Sequence, residues 1–234
     1  MARGRGPLRW GILLPGAVLC LIFLGLGIWQ VQRLEWKRDL IARTEAAVTA
    51  APVPAPGPGA ADQISEYRRV SVNGRYLSSE DTLVRAVTAF GAGYWVMTPF
   101  RTEQGWQLLV NRGFVAVDQI SAYDPAATDL DRTLTGLMRA PQTDGAFLRS
   151  NDPGADRWFS RDVQAIADAR GVGPVAPWFL DLDRMPDVAA PIGGLTVVSF
   201  PNSHLTYALT WFAMAAGLGF VLVFIHRHKD EPEA

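Results

Sequence analysis

"WGILLPGAVLCLIFLGLGIWQVQ", Trp10 to Gln32, carries no charged side chain over 23 positions. As a helix rising 1.5 Å per residue it extends roughly 34 Å, enough to cross a ~30 Å hydrocarbon layer. A second uncharged run, "LTYALTWFAMAAGLGFVLVFI" from Leu205 to Ile225, covers 21 positions and reaches roughly 31 Å by the same measure. Together they explain why a 234-residue chain is 49% hydrophobic, more apolar than a soluble domain of this size needs. One spanning helix near each end leaves everything between them on one side of a bilayer.

Arg3, Arg5 and Arg9 precede the first run, as basic residues do in a secretory signal, but this apolar stretch is longer than a signal's and no small-x-small site closes it at Ile28–Trp29–Gln30. Cys20 follows Leu19, where a lipoprotein-type signal would place a small residue. The run reads as an uncleaved anchor. For orientation the second span is the cleaner guide: Arg227 and Lys229 follow it, whereas Val188 to Ser203 contains no Lys or Arg. The positive-inside rule then puts both tails in the cytoplasm and the middle of the chain outside it. With no Arg-rich, acidic-poor transit segment, the expected location is a bacterial inner membrane with a periplasmic main domain. The expected layout is a cytoplasmic tail (1–9), a first span (10–32), a helical extension with a Pro-rich linker (33–64), a β-rich periplasmic domain (65–203), a second span (204–225) and a cytoplasmic tail (226–234).

Leu34, Leu40 and Ile41 keep helical spacing past the first span, so that helix is expected to continue to about Val48. "APVPAPGPG", Ala51 to Gly59, ends it and reads as a polyproline II spacer. From Ser65 the pattern turns to strands. Arg68–Leu77 contains a strand-breaking Asn73–Gly74, and Asp81–Thr88 follows within turn distance. "GYWVMTPFRT" and "WQLLVNRGFVAV" flank Glu103–Gln104–Gly105 as a hairpin. Further strands are expected at Arg132–Arg139, Trp178–Leu182 and Leu195–Phe200, and one helix at Arg161–Arg170 with Ser160 as N-cap and Gly171 just past its end. The fold class is α+β, two transmembrane helices flanking a β-rich extramembrane domain.

Composition removes several chemistries from that domain. The three histidines, His204, His226 and His228, all follow Ser203, and the one cysteine, Cys20, lies in the first span. A Cys/His zinc site, a nucleophile with a histidine base and a structural disulfide therefore have no residues to build on there. Asp181 and Asp183 read as solvated loop charges. There is no phosphate-cradling glycine motif. A net charge of −1 without a dense basic patch gives nucleic acid binding no support. Arg112 in "VNRGF" sits among apolar residues and reads either as an edge arginine or as a partner contact. The domain reads as a binder, not a catalyst.

His204 stands at the start of the second span. At i, i+3, i+4 and i+7, His204, Tyr207, Ala208 and Trp211 share a helix face that Ala215 and Gly219 continue. Small residues below an imidazole with aromatic walls suit a flat macrocycle with a neutral imidazole nitrogen on its iron. They equally suit close helix packing, and Tyr and Trp commonly line membrane interfaces. Both readings stand on the residues alone. His226, 22 residues further along, lies roughly 33 Å away and cannot be a second axial ligand.

Four stretches, in this order, carry a resemblance: "GIWQVQRLEWKRDLI" (Gly27–Ile41), "GYWVMTPF" (Gly93–Phe100), "LLVNRGFV" (Leu108–Val115) and "NSHLTYALTWF" (Asn202–Phe212). They resemble the successive signatures of the surfeit locus protein one family, and with the two-span layout the resemblance covers nearly the whole chain. It implies an assembly factor for cytochrome c oxidase or a related haem-copper oxidase, with no enzymatic turnover. It further implies binding of haem a as cargo, received from haem a synthase and delivered to the oxidase catalytic subunit. His204 matches the family's haem-linked histidine, with Tyr207 and Trp211 as pocket walls. Trp29, Gln30, Arg33, Trp36 and Lys37 fall in the first signature, Gly93 and Tyr94 in the second, and Asn111, Arg112 and Gly113 in the third, as partner or interface positions. The first set is also what a lipid bilayer surface asks for, tryptophan at headgroup level with cations beyond. The rival reading is a scaffold that stabilises an oxidase assembly intermediate without haem.

Overall fold

The computed structural model describes residues 6–60, 65–77, 81–123, 131–143, 149–185, 190–196 and 200–227. In chain order the elements are α1 (Gly6–Thr49), β1 (Val53–Pro54), β2 (Arg69–Tyr76), β3 (Thr82–Thr88), β4 (Gly91–Thr102), β5 (Gln107–Ala116), β6 (Arg132–Arg139), α2 (Val163–Arg170), β7 (Val175–Leu182) and α3 (His204–Arg227). The chain divides into two units, Met1–Arg43 with Ser199–Ala234, and Thr44–Val198.

In the first unit α1 and α3 run antiparallel. Gly16 meets Leu222, the Cys20 Sγ–H donates to the Ala215 carbonyl at 3.4 Å, Phe23 meets Trp211 with ring centroids 5.7 Å apart, and Gly27 meets Phe212. A side chain at Gly27 would begin 2.5 Å from the Phe212 ring. Glycines of α1 thus admit large residues of α3, and Ala215 of α3 takes the small Cys20, the usual means of close approach where lipid supplies no hydrophobic drive between helices. Both helices are long and apolar enough to cross a membrane. Ile12, Leu21, Phe220 and Val223 remain exposed, which no aqueous helix pair would favour and a lipid-facing pair requires.

The second unit is a closed barrel. Around the ring β2 pairs with β6, β6 with β7, β7 with β5, β5 with β4, and β4 returns to β2 through Tyr76↔Phe100. Within the ring all contacts are antiparallel except β5–β7, whose crossover includes α2. Val70, Tyr76, Phe100, Leu108, Trp178 and Leu180 fill the interior. Outside the wall a second core joins Met97, Leu109 and Phe179 to Val84, Trp158 and Ile166. β5 is therefore buried on both faces, and its sequence is apolar on either side of a buried polar centre, Asn111–Arg112–Gly113.

Closure explains where local patterns mislead. Asn73–Gly74 does not break β2. Gly74 is the corner at which β2 leaves β6 for β4, and a Cβ there would lie 2.1 Å from the Arg101 carbonyl oxygen. The Pro-rich segment is not a free spacer either. Val53 and Pro54 pair in parallel with Val70 and Ser71, the Ala55 N–H donates to Ser71 O at 2.9 Å, and proline is tolerated because this is an edge strand. The hairpin at Glu103–Gly105 forms, with Gly105 at φ +89°. The expected helix forms as Val163–Arg170, but its N-cap is Asp162, not Ser160: the Asp162 carboxylate accepts from the Ala165 N–H, while Ser160 is held by Asn151. Gly171 ends it in the left-handed conformation, φ +63°. The strand expected at Leu195–Phe200 is absent at Leu195, Thr196 and Phe200, and residues 197–199 lie outside those described. Chain pairing in that region falls on Ile192, bridged to Phe114.

Candidate functional site

At one end of the helix pair His204 Nδ1 lies 2.8 Å from Gln30 Oε1. Gln30 is 8% exposed and half-buried His204 is the first residue of α3. With the amide oxygen as acceptor, Nδ1–H is the donor, and a neutral imidazole then carries its lone pair on Nε2. The level of this contact follows from the tryptophans. Trp10 and Trp29, both half-exposed or more, are 19 residues apart, roughly 28 Å along α1, which is the thickness of a hydrocarbon layer bracketed by an aromatic at each face. Gln30 and His204 therefore lie at the end of the stretch of α1 that is long enough to cross such a layer.

The residues around this contact divide by face. Ala208 and Ala215 are almost fully buried, and Trp211 lies on Phe23. The groove expected along Ala208, Ala215 and Gly219 is thus filled by α1, because those small residues are what lets α1 approach. Tyr207 is 55% exposed and does not join that face. On α1, Trp29 and Trp36 point outward, the Arg33 guanidinium lies 4.4 Å over the Trp36 ring, and Lys37 Nζ lies 5.1 Å from the Phe200 ring. Beyond the apolar span this is a cation-and-aromatic belt of the kind found at headgroup level.

The second and third signatures are brought together in the barrel wall. Val96 pairs with Gly113 and Met97 with Asn111, so Arg112 is the extra residue of a β-bulge. Gly113, at φ +132°, has the Ile192 backbone where a Cβ would go, and Gly93 has the Val115 carbonyl oxygen 2.2 Å from that position. The bulge turns Arg112 inward. Its Nη1 donates to Tyr123 Oη at 2.8 Å and lies 3.7 Å from Asp81, over the Tyr76 ring. Tyr123 donates to Asp81 at 2.5 Å, and Thr98 also donates to Asp81. Burial raises the Asp81 carboxyl above the usual carboxylate range despite these donors. Burial likewise pushes Tyr76 up to about 12, and burial with the bond to Asp81 raises Tyr123. Asn111 and Arg112 are 4% and 7% exposed, inside the wall and not on an open surface. Tyr94 pairs with Arg85 and Val115 in the sheet.

Asp181 corrects the reading of a solvated charge. It sits on β7, 6% exposed, and accepts from Asn111 Nδ2 at 2.6 Å, Thr196 Oγ1 at 2.8 Å, Arg139 Nη1 at 2.9 Å and Arg161 Nη1 at 3.3 Å. Asp183 is partly exposed and paired with Arg69. A single acid within the apolar "WFLDL" and a single arginine closing "LMR" are the signals for this centre: a strand buried on both faces can hold a charge only against a partner. Among the described residues no group of three or more His, Cys, Asp or Glu could hold a metal ion.

A closed barrel flanked by two helices able to span a membrane, with a histidine held at the end of the helix pair, defines a helix-anchored barrel protein. The SURF1 family model matches residues 17–216, and the chain belongs to the SURF1 family. Its similarity to Surfeit locus protein 1 of Homo sapiens is 33% identity over 234 residues, 92% of this chain and 76% of that one. Surfeit locus protein 1 of Takifugu rubripes is 31% identical over 92% of this chain and 95% of its own. A SURF1-like protein of Monosiga brevicollis is 34% identical over 95% and 88%.

Proposed function

We propose that this protein holds haem a at His204 and assists its delivery during assembly of a cytochrome c oxidase. The assembly role is what membership of the SURF1 family implies. One observation carries the haem reading: Gln30 engages His204 Nδ1 and so orients the ring with Nε2 left to ligate, the arrangement by which ligating histidines are usually held. Because the Ala208–Ala215 face is covered by α1, the macrocycle is expected on the flank where Tyr207 is exposed. Trp211, engaged by Phe23, then acts by fixing α3 and not as an open wall.

The remaining assignments follow the same reading. His204 supplies one axial bond, and a single ligand releases cargo faster than two. Haem a synthase is the donor and the oxidase catalytic subunit the acceptor, with Trp29, Arg33, Trp36 and Lys37 at the bilayer surface. The reading takes both tails to be cytoplasmic and the barrel periplasmic in a bacterial inner membrane, supported on orientation by Arg227 and Lys229 after the second span. The test is the visible spectrum of the full-length protein purified from cells that make haem a, wild type against His204→Ala. Stoichiometric haem a in the wild type, lost or shifted in the variant, is expected. A haem-free wild type that still binds oxidase subunits would replace the carrier with a scaffold, in which the His204–Gln30 contact serves helix pairing alone.

A further inference from the structure

The carboxylate of Asp181 is saturated. A carboxylate offers about four lone-pair sites, and Asn111, Thr196, Arg139 and Arg161 occupy them. The two arginines are the reverse case, since each guanidinium has five N–H donors. Arg139 spends Nε on Glu66 at 3.2 Å and Nη1 on Asp181. Arg161 spends Nε on Gln142 at 3.0 Å and Nη1 on Asp181. Neither Nη2 donates to a described residue, and both side chains are nearly nine-tenths buried.

These groups line a cavity of about 210 Å³ with Trp95, Asn111 and Thr196. Stacking fixes the guanidinium planes. Arg161 lies 4.9 Å from the Phe179 ring and 5.5 Å from that of Trp95, and Arg139 lies 4.8 Å from Tyr67. The hydrogen-bonding capacity left at the two arginines is therefore all donor, and its direction is set before anything enters. In the lining two cations face one anion; Glu66, 45% exposed and paired with Arg139 Nε, lies outside it. Burial pulls the Arg161 guanidinium below its ordinary value, with Asp181 only partly opposing, and a second anion would oppose it further by coulombic attraction.

We propose that this cavity is a binding site for a small organic carboxylate, whose oxygens take the free Nη2 donors of Arg139 and Arg161 while its carbon skeleton lies against Trp95. Planar forks matched to a planar carboxylate favour this ligand over a tetrahedral anion. The site belongs to the barrel and does not depend on haem at His204.

The test is calorimetric titration of the full-length protein in detergent micelles with acetate, succinate and, in parallel, inorganic phosphate. Saturable 1:1 binding of acetate or succinate is expected, weakened about tenfold or more in Arg161→Gln, the size of a lost charge-assisted contact. The exposed-site control Arg101→Gln should leave it unchanged. Should Arg161→Gln fail to fold, arginine side-chain ¹⁵N resonances of the wild type provide the second measurement, and two guanidinium groups should shift with the same saturation curve. No saturable binding, binding indifferent to Arg161→Gln, a titration that moves no guanidinium resonance, or tighter binding of phosphate than of either carboxylate would each overturn the proposal.

Discussion

Between α1 and α3 the polar contacts described are uncharged, His204 on Gln30 and Cys20 on the Ala215 carbonyl. Inside the barrel unit Arg112, Arg139 and Arg161 are all nearly buried, and each is held by an acid and by aromatic rings. The difference follows from the surroundings of each unit. A charge between lipid-facing helices has no water to fall back on, so that pair relies on shape and on these two polar contacts. A barrel wall can enclose a charge if every donor and acceptor around it is supplied by strands whose register is already fixed. The helix pair is thus specified by few polar contacts, whereas the barrel is specified many times over.

The largest expected effect comes from attacking the charged side of this contrast. Asp181→Ala leaves two buried guanidinium groups without their shared acceptor and should cost about 3–5 kcal/mol, measured by chemical denaturation followed through tryptophan fluorescence. A loss under about 1 kcal/mol would put the barrel on the same footing as the helix pair. A smaller effect is expected from pH. Asp81 has its carboxyl raised mainly by burial, so the folded state binds its proton more tightly than the unfolded chain does. Its contribution is fully present below about pH 4, the unfolded value, and is lost as pH rises through the raised folded value; each tenfold difference in proton affinity is worth about 1.4 kcal/mol. The melting temperature of the wild type should therefore decline relative to Asp81→Asn as pH rises from 4 to 7. A difference that stays constant with pH would show that burial does not hold this proton. The smallest effect belongs to the helices: Gln30→Leu should weaken α1–α3 association by only about 0.6 kcal/mol, read by energy transfer between labels on the two helices. Under the carrier reading the same variant broadens or shifts the haem a spectrum, because His204 loses the partner that orients it.

What can be read from the sequence is whatever a short window contains. The two long apolar helices, the Glu103–Gly105 hairpin and the Gly171 helix stop all depend on neighbours within a few residues, and each forms as expected. Gly74 reads wrongly in isolation because its role depends on Arg101 and Thr102, strand partners that become adjacent only when the barrel closes. Asp181 reads wrongly for the same reason: Asn111 lies 70 positions away and Arg139 lies 42. At the candidate site the histidine and its helical phase are legible, but Gln30 as its partner is not, since nothing local to residue 204 names a residue on another helix. The small residues of α3 carry two meanings in the sequence, and the contacts of α1 choose one of them.

The His204–Gln30 contact joins residues separated by 174 positions. At the ~5–20 residues per second of ribosomal synthesis, Gln30 waits roughly 10 to 35 s between its own emergence and that of its partner. Every strand of the barrel has been made by then. A nascent chain thus cannot present an oriented imidazole until translation has passed the last strand, and a chain cut short anywhere before residue 204 has no such group at all. The contact works as a completion mark: only molecules whose β-rich domain has been fully synthesised are able to hold anything there.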